Sequence, residues 1–196
     1  MMEVILGLVI GICLSASCGF RVFLPLLGMS IAALLGRITL SSGFEWIGTW
    51  PALIALATAT VVEIGAYYIP WVDHVTDALM TPAAVAAGTI ATASMIGDIS
   101  PFVKWSLAII AGGGVSAVVQ GGTVALRAGS LGTTGGLANP LVSTIELIGS
   151  ILVTIFAVLL PFLCLVAVIW VCYKMIRLMA KSDLIKRLFV SDRGAS

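Results

Sequence analysis

The sequence predicts an all-α, polytopic membrane helix bundle of five to six spans, with two broken or re-entrant helices. Three observations predict it. The 196 residues are 60% apolar and only 10% charged, and the mean hydropathy is +1.18. The apolar residues form runs at least as long as the ~20 residues that a bilayer core requires. Three of those runs open on Thr81-Pro82, Ser100-Pro101 and Asn139-Pro140. Ser, Thr or Asn before Pro is an N-cap followed by a residue that has no N–H to leave unpaired.

The first run, Val4 to Leu35, would make about 48 Å of helix, too long for one crossing. Its middle reads Ser15-Ala16-Ser17-Cys18-Gly19-Phe20-Arg21, with Pro25 beyond. Small residues, a charge and a proline predict a break, and freed backbone groups must be buried in protein or face water. The N-terminus MMEVILGLVIG lacks the Lys/Arg region of a secretory signal, so it reads as a retained span. A polar loop, Gly36 to Thr49, carries Arg37 and Glu45. The second run spans Pro51 to Ile69-Pro70, the third Thr81-Pro82 to Gly97.

The fourth run, from Ser100-Pro101, is irregular at Gly112-Gly113-Gly114 and Gln120-Gly121-Gly122, and it carries Arg127. A Gly/Thr loop, Gly129 to Gly136, is expected next. It is glycine-rich enough to wrap an anion but has no Lys in a P-loop position. The last run, to Tyr173, is again about 50 Å long, and Pro161 is expected to kink or split it. Residues 1–173 therefore read as one transmembrane domain and 174–196 as a basic, amphipathic, cytoplasmic tail lying on the membrane. Five crossings with the tail inside place Arg37 and Lys104 inside as well. A shift of 101 residues aligns Leu6, Gly11, Ser15, Ala16 and Gly28 with Leu107, Gly112, Ser116, Ala117 and Gly129, which makes an internal repeat an expectation.

Net charge is +1, with the basic residues concentrated in the tail, so no nucleic-acid partner is expected. The four cysteines lack ligand spacing and read as small hydrophobes. There is one histidine. No metal, no cofactor and no enzyme chemistry are expected.

The informative residues are charges in apolar surroundings. A charged side chain at the bilayer centre costs about 2.5–3.5 kcal/mol even on a mild scale, so such groups mark sites. Arg21 follows the predicted break. Loose amides, the hydroxyls of Ser15 and Ser17 and a guanidinium fork suit a phosphate or carboxylate, with Arg127 as a second binder. The competing reading pairs Arg21 with a carboxylate to lock two helices. Glu63 shares a face with Thr60 and Tyr67 and is a candidate proton carrier or an arginine partner. Asp73 and Asp77, at i and i+4, either join Glu63 in coupling or cap the next helix. Glu146, three residues after Ser143, matches a capping box.

Cys18-Gly19-Phe20-Arg21-Val22-Phe23-Leu24-Pro25, the run Glu63…Pro70…Asp73…Asp77…Thr81-Pro82-Ala83, and Thr133-Thr134-Gly135-Gly136-Leu137-Ala138-Asn139-Pro140 resemble the bacterial membrane family of domain of unknown function 4126. The resemblance covers nearly the whole chain. It implies a multi-pass protein of the bacterial inner membrane and draws Arg21, Glu63, Asp73 and Asp77 into one motif set. It names no activity. The expectation is a homo-oligomeric transporter or lipid flippase for an anionic small molecule or lipid headgroup. Arg21, Arg127, Ser15 and Ser17 would bind the substrate, and Glu63, Asp73 and Asp77 would couple protons or cations. A divalent-cation channel or transporter, or a non-transporting scaffold, is the alternative.

Overall fold

A computed structural model describes residues 2–68, 72–97, 99–135 and 137–193, with side chains at all of these except 72–75, 134 and 181–193. Helices carry the described chain: α1 (Met2–Phe20), α2 (Phe23–Leu34), α3 (Trp50–Tyr67), α4 (Val72–Met95), α5 (Pro101–Leu107), α6 (Gly114–Thr134), α7 (Asn139–Leu159) and α8 (Pro161–Arg193). A π-helical turn, Ala108–Gly113, joins α5 to α6. Among the described residues six helices are long and apolar enough to cross a membrane, α5 and α6 counting as one; α2, with 12 residues, is shorter.

The first run breaks as predicted, but more tightly. The Ser15–Phe20 stretch stays helical, and the interruption is confined to Arg21 and Val22. Pro25 falls in the first turn of α2, where its missing N–H costs no helical hydrogen bond. The chain then reverses. Arg37 to Ser42 border a cavity together with Leu6, Gly7 and Ile10 of α1, so α2 returns towards the start of α1.

Several expected boundaries shift. α4 starts at Val72, not at Thr81-Pro82, and carries Pro82 inside it. The Gly129–Thr134 stretch is the last part of α6 and not a loop; Gly135, in the left-handed conformation at φ 62°, ends that helix. The last run splits into two helices at Leu160 (φ −140°, ψ 63°). Cys164 Sγ donates to Val153 O at 3.6 Å, eleven positions back in sequence, so α8 folds back along α7.

α8 runs through Tyr173–Lys174 without a break, and Met175 and Met179 fill notches left by Gly122 and Gly121 of α6. Lys104 Nζ donates to Ser41 Oγ at 2.5 Å, so Lys104 and the Arg37 loop lie at one end of the bundle, beside the start of α1. The two irregular points do not correspond under the 101-residue shift either. Position 122 is helical where Arg21 is at a break, and positions 7–12 are helical where 108–113 form the π turn. Ser15 and Ser116 do meet, at the bare Cα of Gly88.

The core is built from small residues and hydroxyls. Ser15 Oγ donates to Gly112 O, and Ser116 Oγ donates to Ala84 O at 2.6 Å. Small side chains let membrane helices approach closely where hydrophobic driving force is absent. On α7 the buried positions are Asn139, Ser143, Glu146, Ser150, Thr154 and Ala157. That is a polar stripe at i, i+3/i+4 spacing on a helix whose other faces are apolar. Ser17 Oγ lies 2.8 Å from both Ser150 Oγ and Thr154 Oγ1, tying α1 to this stripe.

Candidate functional site: a buried charge cluster at the first helix break

The break after α1 leaves the first amides of α2 without helical acceptors. Glu63 fills that role. Its Oε1 accepts from Val22 N at 2.7 Å and its Oε2 from Phe23 N at 3.0 Å. The anion that the break attracts is thus a side chain of α3, placed where the positive end of the α2 dipole favours it. This is why a 12-residue helix can begin inside the bundle.

Arg21 points away from those amides. Its Nη2 donates to Ser143 O at 2.9 Å and Ser143 Oγ at 2.7 Å, and lies 3.9 Å from Glu146 Oε2. Arg127 is held by two carboxylates: Nη1 donates to Asp77 Oδ1 at 2.9 Å, Nε to Glu146 Oε1 at 3.3 Å, and Nη2 to Glu146 Oε2. The grip on Glu146 is the fork-on-fork geometry that guanidinium favours. Tyr67 completes the cluster. Both guanidinium carbons lie 4.1 Å from its ring centroid, where the ring's negative face attracts cations.

Burial is nearly complete: Arg21 is 1% exposed, Glu63 2%, Glu146 3%, Arg127 5% and Tyr67 5%. Among the described residues, Arg21 Nε and Nη1 nevertheless have no hydrogen-bond partner. The Tyr67 ring satisfies the face of the guanidinium but not its in-plane N–H groups. A buried charge with unmet donors is costly, so these two nitrogens are the part of the cluster that calls for a ligand. A cavity of about 320 Å³, bordered by Asp77, Thr81, Val124 and Arg127 among others, opens beside the Arg127–Asp77 pair.

Of the predicted site residues, Arg21, Arg127, Glu63 and Asp77 come together. The side chain of Asp73 lies outside the described residues, and so does that of His74. Ser15 and Ser17 do not join the cluster: both are fully buried in helix contacts with the π turn and α7. Glu146 does not cap α7, which starts seven residues earlier at Asn139; it is the shared acceptor of both arginines. Tyr67, Ser143 and Glu146 were absent from the predicted set. The i, i+4 spacing of Glu63 and Tyr67 and the Ser143–Glu146–Ser150–Thr154 stripe were the signals that pointed to them. Among the described residues no group of three or more His, Cys, Asp or Glu could hold a metal ion.

A family model described as Domain of unknown function (DUF4126) matches residues 8–181. No curated protein and no solved structure gives a significant match to the chain.

Proposed function

The chain belongs to the DUF4126 family, whose description assigns no activity, and we propose that it is a multi-span transporter or lipid flippase for an anionic substrate. The observation that carries this reading is Arg21, buried to 1% exposure with Nε and Nη1 unpartnered among the described residues. A guanidinium in a low-dielectric site binds a phosphate or carboxylate through charge-assisted N–H donors. Arg21 keeps one such nitrogen open on each of two edges, Nε and Nη1, while Nη2 is held by Ser143, and Arg127 offers a second guanidinium on the other side of Glu146.

The internal carboxylates then act as stand-ins for the substrate. Glu146 and Asp77 neutralise the arginines while the site is empty. An arriving anion competes with them for the same donors, and a displaced carboxylate in an apolar setting takes up a proton or a cation. That exchange couples substrate movement to charge. Glu63 is a positioning residue in this scheme, since both its oxygens hold the α2 amides. The excess of Lys and Arg in the tail favours a cytoplasmic C-terminus in a bacterial inner membrane.

The self-neutralising pairs favour one competing reading, a scaffold in which the charges only lock helices. Native mass spectrometry of the detergent-purified protein separates the two. The anion reading expects a phosphorylated or carboxylated adduct on wild type that is lost in Arg21→Ala and in the charge-preserving Arg21→Lys, which has no counterpart of the Nε and Nη1 donors. It also reads the oligomeric state. Adduct-free wild type, with no thermal stabilisation by inorganic phosphate, would sink the reading.

A further inference from the structure

The route to the cluster narrows the class of anion. Along the bundle axis the helices touch backbone to backbone. A Cβ built on Gly11 would sit 2.8 Å from Thr92 Cα, one on Gly112 2.7 Å from Gly88 O, and one on Gly19 2.7 Å from Ser116 O. Those contacts stand between the cluster and the end where Glu3, Arg37 and Met95 border a separate cavity of about 540 Å³. Among the described residues, an opening that reaches the cluster lies sideways, between α4 and α6.

That opening is amphipathic. Its inner end is the Arg127–Asp77 pair, and its walls include Ala78, Val124 and Leu131. Ala78 on α4 and Leu131 on α6 are exposed, each on a helix long and apolar enough to span a membrane. Arg127 lies seven residues before the end of α6, about 10 Å along the helix axis; with that helix end among the headgroups, its guanidinium sits at the boundary between headgroups and hydrocarbon. A cavity of this size is at the lower end of the ~300–1,000 Å³ typical of ligand sites: room for a headgroup, not for acyl chains. A soluble anion would have to pass through the apolar surround to enter here. A lipid headgroup starts at that depth.

Building on the anion-transport reading, we propose that the substrate is a lipid with a phosphate or carboxylate headgroup, which enters laterally between α4 and α6. The headgroup meets Arg127, competing with Asp77 for the guanidinium, while the chains stay in the bilayer. Ala128, which also borders the opening and is exposed, sits at its mouth.

The test uses the full chain in nanodiscs of phosphatidylcholine with phosphatidylglycerol, extracted into detergent and weighed by native mass spectrometry. Wild type is expected to retain phosphatidylglycerol over phosphatidylcholine. Ala128→Trp, which fills the mouth without touching an ion pair, loses that preference. Asp77→Asn, which weakens the internal competitor, increases it. Equal retention of the two lipids by wild type, or an unchanged preference in Ala128→Trp, overturns the lateral lipid site. If wild type shows no lipid preference but inorganic phosphate raises its melting temperature and Arg21→Lys abolishes that rise, the lipid inference fails while the anion site survives. If neither occurs, both fail.

Discussion

Replacing Glu63 by glutamine tests how the interior start of α2 is held. The side chain keeps its size, and its remaining oxygen still accepts from one of the two amides, Val22 N or Phe23 N. The new NH₂ then faces the other amide, donor against donor. A hydrogen bond to a charged group contributes about 1.5–3 kcal/mol. Loss of the negative charge at the α2 N-terminus removes roughly 0.3–1 kcal/mol more. The sum is about 2–4 kcal/mol, and because Glu63 is 2% exposed water cannot make up the loss. With the soluble-domain scaling of about 2–4 °C per kcal/mol at this chain length, the melting temperature in detergent should fall by about 4–16 °C. Glu63→Asp, one methylene shorter, keeps the charge but loses reach and should fall between wild type and Glu63→Gln. The assay is thermal unfolding followed by size-exclusion fluorescence. A Glu63→Gln protein that melts with wild type would refute the claim that this carboxylate holds the break.

Tyr67→Phe should be close to neutral in the same melt, because the ring carries both arginine contacts, whereas Tyr67→Leu removes two contacts of about 0.5–2 kcal/mol each. Gly11→Ala should destabilise by about 1–3 kcal/mol, since its Cβ would meet the backbone of Thr92; Gly114→Ala, with nothing within 4 Å of its Cβ, is the matched control and should show no loss of monodisperse protein. Glu146→Gln leaves Arg127 with an imperfect partner and should cost about 3–5 kcal/mol, the range for breaking a buried pair. Adding Arg127→Met should recover part of that loss, and a double variant less stable than the single would contradict the pairing. Ser17→Ala should cost about 0.6 kcal/mol or somewhat more, the usual worth of an interhelical hydrogen bond in membranes, read as a small shift in melting temperature.

Much of the helix order was legible because lipid leaves few choices. A run of apolar residues that long must be helical to satisfy its own backbone, and the starts at Pro101 and Asn139-Pro140 agree with α5 and α7. The break at Arg21 was legible from a charge and a proline in one run. Less local outcomes were not. Nothing near Thr81-Pro82 in the sequence shows that α4 already runs from Val72, since a helix can carry an interior proline when neighbours satisfy the freed carbonyl. The glycines at 129 and 132 looked like a loop, yet they are helical; glycine's modest penalty of about 1 kcal/mol per residue does not break a helix by itself.

The candidate site shows the same division. Composition and position alone identify Arg21, Glu63, Arg127 and Glu146 as charges inside or at the edge of apolar runs, with Asp77 in the acidic turn beside them. Their pairing has no sequence signature, because the partners come from four helices and the break after α1, and lie 19 to 50 positions apart for Arg127 and its carboxylates and 122 for Arg21 with Ser143. Glu63 was legible as an arginine partner or proton carrier, and only the packing of α3 against the break makes it the acceptor for the α2 amides. The sequence by itself determined a helical membrane bundle with buried charges, because hydrocarbon permits little else. The tertiary structure decided which charge neutralises which, and which donors of Arg21 stay open, because electrostatic partners are chosen by distance in space and not by spacing along the chain.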